Sequence, residues 1–304
     1  MTLGYEGQLY ILAFDHRGSF QKKFFGVEGA PSPEQVAQIA DAKRVIFEGA
    51  LKAREETPDP VVQESMGILV DEQFGAEIAR EARERQLMLA MPVEKSGQNE
   101  FDFEYGDEFG AHILEFEPTF SKVLVRYNPE GDGAMNARQS ARLRQLGDWL
   151  HANGRKFLFE LLVPSEEHQL DSLGGDGERY ERELRPSLMV TAIAELQQAG
   201  VEPDLWKIEG IDAREDCERI VEQCRTAGRD QVVCIVLGRG ADDAAVDTWL
   251  KAASGLPGYA GFAIGRTIWW DPLKAFVDGK LPRAQAASQI AANYVRFVSV
   301  YRAG

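Results

Sequence analysis

The sequence predicts an α/β protein, a (β/α)8 barrel of the TIM type, and three observations predict it. Eight short apolar runs recur along the 304 residues. Longer stretches of helical period, with recognisable start and stop residues, separate them. No G-x-G-x-x-G turn follows the first run, in AFDHRGSF, and no Walker sequence occurs, which sets the doubly wound sheet behind the barrel. Near-continuous apolar runs of this length suit parallel strands covered by helices.

The runs fall at 9–14, 67–71, 87–93, 122–127, 157–163, 205–209, 231–237 and 260–265. Ser32-Pro33-Glu34-Gln35 offers a cap, a proline in the first turn and a glutamine three residues on. Asp212 with Glu215 repeats the capping-box spacing before a helix expected to end at Gly228. Gly154 and Gly200 stand where C-terminal caps belong, just before runs five and six. Asp271-Pro272 reads as the opening of another helix, and 282–302 as a final amphipathic one. No low-complexity linker or Pro/Ser-rich hinge interrupts the pattern, so 1–304 reads as one barrel domain.

The chain carries 34 basic and 49 acidic residues, a formal net charge of −15. Nucleic acid and anionic membranes repel such a polyanion and are not expected as partners. A small phosphorylated substrate remains compatible if arginines and backbone N–H groups gather locally. A homo-oligomer is left open. Cys217, Cys224 and Cys234 make no disulfide framework and fit buried thiols in a reducing cytoplasm. The start, MTLGYEGQLYILAFDHRG, lacks a signal-peptide pattern, and no apolar run approaches the ~20 residues of a membrane span.

Chemistry on such barrels lies at the C-terminal ends of the strands. Strand alternation then selects the side chains that face the axis. In run one Ile11, Ala13 and Asp15 share a face; in run five Leu158, Glu160 and Leu162; in run six Leu205, Lys207 and Glu209. The bulky Phe157, Phe159 and Trp206 take the opposite faces, towards the helices. An inward lysine in an apolar strand is either paired with Glu160 or Glu209, or is an amine that sheds its proton in a dry site and attacks a carbonyl. Lys122 and Lys95 are the neighbouring cations that would favour the second state. Glu160 could shuttle protons, and Asp15 could take one from a substrate hydroxyl.

The last two runs end in LGRGAD and IGRTIWW. Gly238, Arg239 and Gly240, with Gly265 and Arg266, therefore form a candidate phosphate clamp of backbone amides and guanidinium forks. The other reading pairs the two arginines with Asp242, Asp243 or Asp271. His16, Arg17 and Lys95 complete the candidate substrate-binding set. The four histidines are scattered without a ligand spacing, so no metal and no cofactor are expected. NEFDFEYGDEF (99–109) reads as a surface loop over the barrel. The stretch 164–186 is long for a βα loop and is either a lid or a mobile insertion.

The ordered motifs AFDHRGSF, LVDEQFG, PVEKSG, KVLVRYNPE, KFLFELLVP, LWKIEG, CIVLGRGAD and GFAIGRTIW resemble the DUF2090 family over essentially the whole chain. That family occurs alone and as the C-terminal half of fused inositol-catabolism proteins, behind a sugar-kinase domain. The resemblance implies aldolase activity on 2-deoxy-5-keto-D-gluconate 6-phosphate, giving dihydroxyacetone phosphate and malonate semialdehyde. It implies a carbon–carbon lyase with no kinase activity, since no kinase half precedes the first run. The pattern is also similar to class I tagatose-1,6-bisphosphate and sulfofructose-phosphate aldolases. By that similarity Lys207 is the Schiff-base residue, Glu160 the strand-five glutamate, Lys122 the strand-four lysine and Asp15 the strand-one aspartate. Glu94-Lys95-Ser96-Gly97 matches the strand-three motif. His16 stands where those enzymes usually carry Gln. Rival expectations are a sugar-phosphate isomerase or epimerase, a non-catalytic sugar-phosphate sensor, and a metal-dependent aldolase.

Overall fold

The computed structural model describes residues 2–304. Eight parallel strands close into one barrel in chain order. They are β1 (Leu9–Ala13), β2 (Met66–Leu69), β3 (Met88–Pro92), β4 (Phe120–Arg126), β5 (Lys156–Leu162), β6 (Leu205–Glu209), β7 (Val233–Leu237) and β8 (Tyr259–Ile264). Every apolar run becomes a strand, with bounds within two residues of the pattern. The seam pairs Ile11 with Ala263. Gly261 makes that approach possible: at its φ of 145° a Cβ would stand 2.0 Å from the Leu9 carbonyl oxygen.

Alternation divides the core in two. Leu9, Ile11, Leu158, Leu205 and Ile235 are among the residues that fill the barrel interior. Phe157, Phe159 and Trp206 turn outwards into the larger cluster between strands and helices. Inside the barrel the apolar layers sit below, and the next inward positions on β4, β5 and β6 and just beyond β1 are Lys122, Glu160, Lys207 and Asp15.

The helix Pro33–Glu56 starts with the expected capping box: Ser32 accepts from the Gln35 amide while the Gln35 side chain accepts from the Ser32 amide. Gly154 and Gly200 take left-handed φ values of 64° and 81° after the helices Gly133–Ala152 and Arg185–Gln198. Two helix expectations are corrected. Asp271-Pro272 does not open a helix; Pro272 lies inside Arg266–Val277, which starts at Gly265. A proline leaves one helical carbonyl without its amide partner, and the Ile268 carbonyl accepts from Asn293 Nδ2 at 2.9 Å instead. Asp212 does not cap the helix Arg214–Cys224, because its carboxylate accepts from Trp249 Nε1 at 2.7 Å. That helix stops at Cys224, four residues short of Gly228.

The final helix, Arg283–Ala303, lies against Pro33–Glu56. Its Tyr294 hydroxyl reaches the carbonyls of Tyr10 at 2.5 Å and Gly67 at 3.2 Å. The three cysteines are buried and free. Among the described residues no helix is long and apolar enough to cross a membrane.

Candidate active site

A cavity of about 770 Å³ opens at the C-terminal ends of the strands. Register sets its floor. Glu160 on β5 is level with Lys207 on β6, and Lys122 enters from β4 two positions below Leu124, the register partner of Glu160. Lys207 Nζ donates to Glu160 Oε2 at 3.0 Å. The same oxygen lies 3.0 Å from Lys122 Nζ. Lys122 also meets Asp15 at 2.9 Å and Glu94 at 3.0 Å. All of these side chains are buried or nearly so; Lys207 is 3% exposed and Lys122 1%.

Asp15 is held from behind. Lys43, fully buried on the helix Pro33–Glu56, donates to the carbonyls of Phe14 at 2.8 Å and His16 at 3.0 Å, the two residues that flank Asp15. It also pairs with buried Asp71, which caps the helix Glu72–Glu84 through the Phe74 amide. Burial lowers the proton affinity of Lys43 against the pull of Asp71.

Burial and neighbouring charge oppose each other in setting the floor's charge states. Burial favours neutral Asp15, but Lys122, His16 and Lys207 outweigh it and hold the carboxyl well below the usual carboxylate range. Burial opposes ionised Glu160 too, and Lys122 and Lys207 together push it down. Lys122 is desolvated, yet Asp15, Glu160 and Glu94 raise its proton affinity well above that of a free lysine. Glu94 goes the other way: burial outweighs Lys122 and Arg17 and raises it. Its Oε2 is buried without a hydrogen-bond partner.

The rim is less evenly matched. Arg239 Nε pairs with Glu209 at 3.1 Å, and its Nη1 meets Glu181. Arg239 itself adopts a left-handed φ of 50°, so its carbonyl turns to accept from Arg266 Nη2 at 2.5 Å. Among the described residues Arg266 has no carboxylate partner, and burial alone lowers its proton affinity. Neither arginine pairs with Asp242, Asp243 or Asp271; Asp242 caps the helix Asp243–Ala253. Gly240 and Gly265 line the cavity; Gly238 does not, and its carbonyl accepts from the Ala241 amide at 3.0 Å. A Cβ on Gly240 would come within 2.6 Å of the Arg266 guanidinium.

Two of the other three candidates are spoken for. Arg17 donates to the Glu94 carbonyl at 2.7 Å and to Glu104 at 3.0 Å, tying the loop after β3 to β1. Lys95 lines the cavity and pairs with Asp102 at 3.0 Å. His16 packs edge-on against Trp269 at 5.6 Å, with Nδ1 buried and unpartnered. Burial, reinforced by Arg266, Lys43 and Lys207 and opposed by Asp15, lowers it to about 4, so it is neutral at pH 7.

The stretch 164–186 is largely helical, with Glu167–Ser172 and a turn through Tyr180–Leu184. Tyr180 is buried and donates to the Val163 carbonyl at 2.9 Å, which places Glu181 beside Arg239. In 99–109 Phe101, Phe103 and Phe109 are buried, and Phe103 bridges to Glu94. The metal-capable group among the described residues is Glu72, His112 and Glu115, outside the barrel mouth. His112 Nδ1 lies 3.0 Å from both Glu72 oxygens, and its ring stacks on Tyr105. Glu94, named above only as part of the strand-three motif, and Arg126, not among the expected site residues, also line the cavity. The signal was present: Glu94 lies two residues beyond Pro92, and Arg126 continues the inward series Phe120, Lys122, Leu124.

A family model described as "uncharacterized protein conserved in bacteria (DUF2090)" matches residues 4–304. No curated protein matches the sequence. Among solved structures, Cgl0159 from Corynebacterium glutamicum superposes with a TM-score of 0.58 at 17% identity, covering 97% of this chain and 88% of that one. A Schiff-base-forming fructose-1,6-bisphosphate aldolase gives 0.57 at 13% identity, with coverages of 96% and 94%. An archaeal fructose-1,6-bisphosphate aldolase, with its catalytic lysine bound to the carbinolamine intermediate, gives 0.58 at 12%, with coverages of 97% and 94%. At these identities the likeness is one of fold.

Proposed function

The chain belongs to the DUF2090 family, and we propose that it is a class I aldolase, with Lys207 as the Schiff-base residue. The observation that carries the reading is the contact of Lys207 Nζ with Glu160 Oε2 at 3.0 Å, on the floor of a large polar cavity. The substrate is 2-deoxy-5-keto-D-gluconate 6-phosphate, and the reaction belongs to inositol catabolism. Both assignments follow the family resemblance. The fold shared with Schiff-base aldolases is consistent with the chemistry.

In the proposed reaction the Lys207 amine, its proton passed to Glu160, adds to the keto carbon C5. The carbinolamine oxygen takes a proton from Glu160 and leaves as water, giving the iminium. Asp15, held as carboxylate by Lys122, accepts the proton of the C3 hydroxyl. The C3–C4 bond then breaks, its electron pair moves into the iminium, and malonate semialdehyde departs. Asp15 gives its proton to the enamine at C4, and hydrolysis of the resulting iminium releases dihydroxyacetone phosphate and free Lys207. Lys122 serves as a fixed cation that keeps Asp15 and Glu160 ionised between turns. Arg266, which has no acid partner, supplies charge for the phosphate together with the backbone at Gly240 and Gly265.

Borohydride added with the keto sugar phosphate is expected to leave a stable mass on the Lys207 peptide, with triose phosphate formed in its absence. Cleavage without an adduct would exclude the imine route. Turnover to an isomeric sugar without triose phosphate would make the protein an isomerase.

A further inference from the structure

We infer that Arg126 forms a second anion subsite, across the barrel mouth from Arg266, which takes a carboxylate at the end of the substrate remote from its phosphate. The inference rests on the aldolase reading above and adds to it the residue that selects the acid end of the substrate.

Eight Lys or Arg side chains line the cavity against five Asp or Glu, a surplus of three in a chain whose net charge is −15. Five of the eight have acid partners: Arg17, Lys95, Lys122, Lys207 and Arg239. The remaining three, among the described residues, are Lys23, Arg126 and Arg266. Lys23 and Arg266 also share a second depression with Gly240, so both belong to the same side of the mouth. Arg126 stands alone on the other side. Unmatched cations in an acidic protein attract an anionic ligand to that place.

Geometry then gives the direction. In the closed ring β4 and β8 are four strands apart by either path, and β6 is midway. Arg126 is the last residue of β4, and Arg266 comes two residues after the last of β8. Lys207 enters the same cavity from β6, a quarter of the ring from each. A ligand held by both arginines spans the cavity that the amine faces. Arg126 spends one N–H on the Gln98 carbonyl, at 2.7 Å. The rest of its planar fork is free for a carboxylate, which accepts two parallel hydrogen bonds.

The test runs in the synthetic direction, with dihydroxyacetone phosphate as donor and malonate semialdehyde, propanal or glyceraldehyde 3-phosphate as acceptor. The expected result for Arg126→Met is a preference for malonate semialdehyde over propanal that falls roughly 10- to 100-fold, as for a lost hydrogen bond to a charged group. Arg126→Lys is expected to recover part of it. An unchanged preference overturns the proposal. A drop confined to glyceraldehyde 3-phosphate overturns it too, since the occupant is then a phosphate. If wild-type protein joins no acceptor and gives no borohydride adduct, the aldolase reading has failed. The subsite is then decided by titration calorimetry with malonate: weaker binding to Arg126→Met sustains it, and equal binding removes it.

Discussion

The floor and the rim of one cavity handle positive charge in opposite ways. On the floor Lys122 is enclosed by Asp15, Glu94 and Glu160. On the rim Arg266 is half-buried and has a single peptide carbonyl for company. Enclosed cations fix the protonation of their neighbours and are unavailable to a ligand. An unmatched cation bears a desolvation cost that an incoming anion can repay. The floor holds its charges against one another, and the rim leaves one open to a ligand. The same difference explains why two G-R dipeptides that look alike differ in use: Arg239 is neutralised by Glu209 and Glu181, whereas Arg266 is not.

Four substitutions break or sharpen this contrast. The largest effect belongs to the floor. Lys207→Met is expected to lower cleavage by about 10⁴-fold or more, since no other group takes over a covalent step; residual turnover within tenfold of wild type would rule Lys207 out. Next is Lys43→Met, beneath the floor. It leaves Asp71 buried and unpaired, and roughly 3–5 kcal/mol of stability should be lost in urea unfolding. A loss under 1 kcal/mol would mean that water or a proton satisfies Asp71. On the rim, Arg266→Gln is expected to raise KM about 10- to 100-fold with little change in kcat, and equal losses in kcat would move Arg266 into the transition state.

The smallest effect belongs to His16. Its imidazole sits near 4 in the folded protein, against 6.5 when unfolded. Between those values the unfolded chain binds more protons, so stability falls as pH drops from 6.5 towards 4. His16→Gln removes that term, and the variant should gain on the order of 1–2 kcal/mol relative to wild type at pH 4.5 compared with pH 7.5. Parallel pH curves for the two proteins would show that the ring is solvated.

What the sequence discloses follows from period. Alternation along a strand is local, so the inward set of Asp15, Glu160 and Lys207 is readable from neighbours two apart. So are the eight strands, since each is an apolar run bounded by caps. Pairing between residues far apart in the chain has no such signature. Lys95 is expected beside Lys207 but meets Asp102, because the loop after β3 folds back on itself through the bridge from Glu94 to Phe103. Glu181 reaches Arg239 across 58 positions. Asp212 has the spacing of a cap, yet an indole from the next helix claims its carboxylate. Pro272 reads as a helix start because the compensating amide comes from Asn293, in another helix.

The seam between β1 and β8 has a bearing on how the molecule is made. Synthesis delivers β1 first among the strands and β8 last, and Tyr294, which bolts the β1–β2 carbonyls from outside, later still. Loop length adds little to the equilibrium cost of joining such distant partners, but remote contacts slow the search for them. Until β8 arrives, both edges of the nascent sheet, β1 and β7, have no neighbour, and a ribosome-bound chain carries them open.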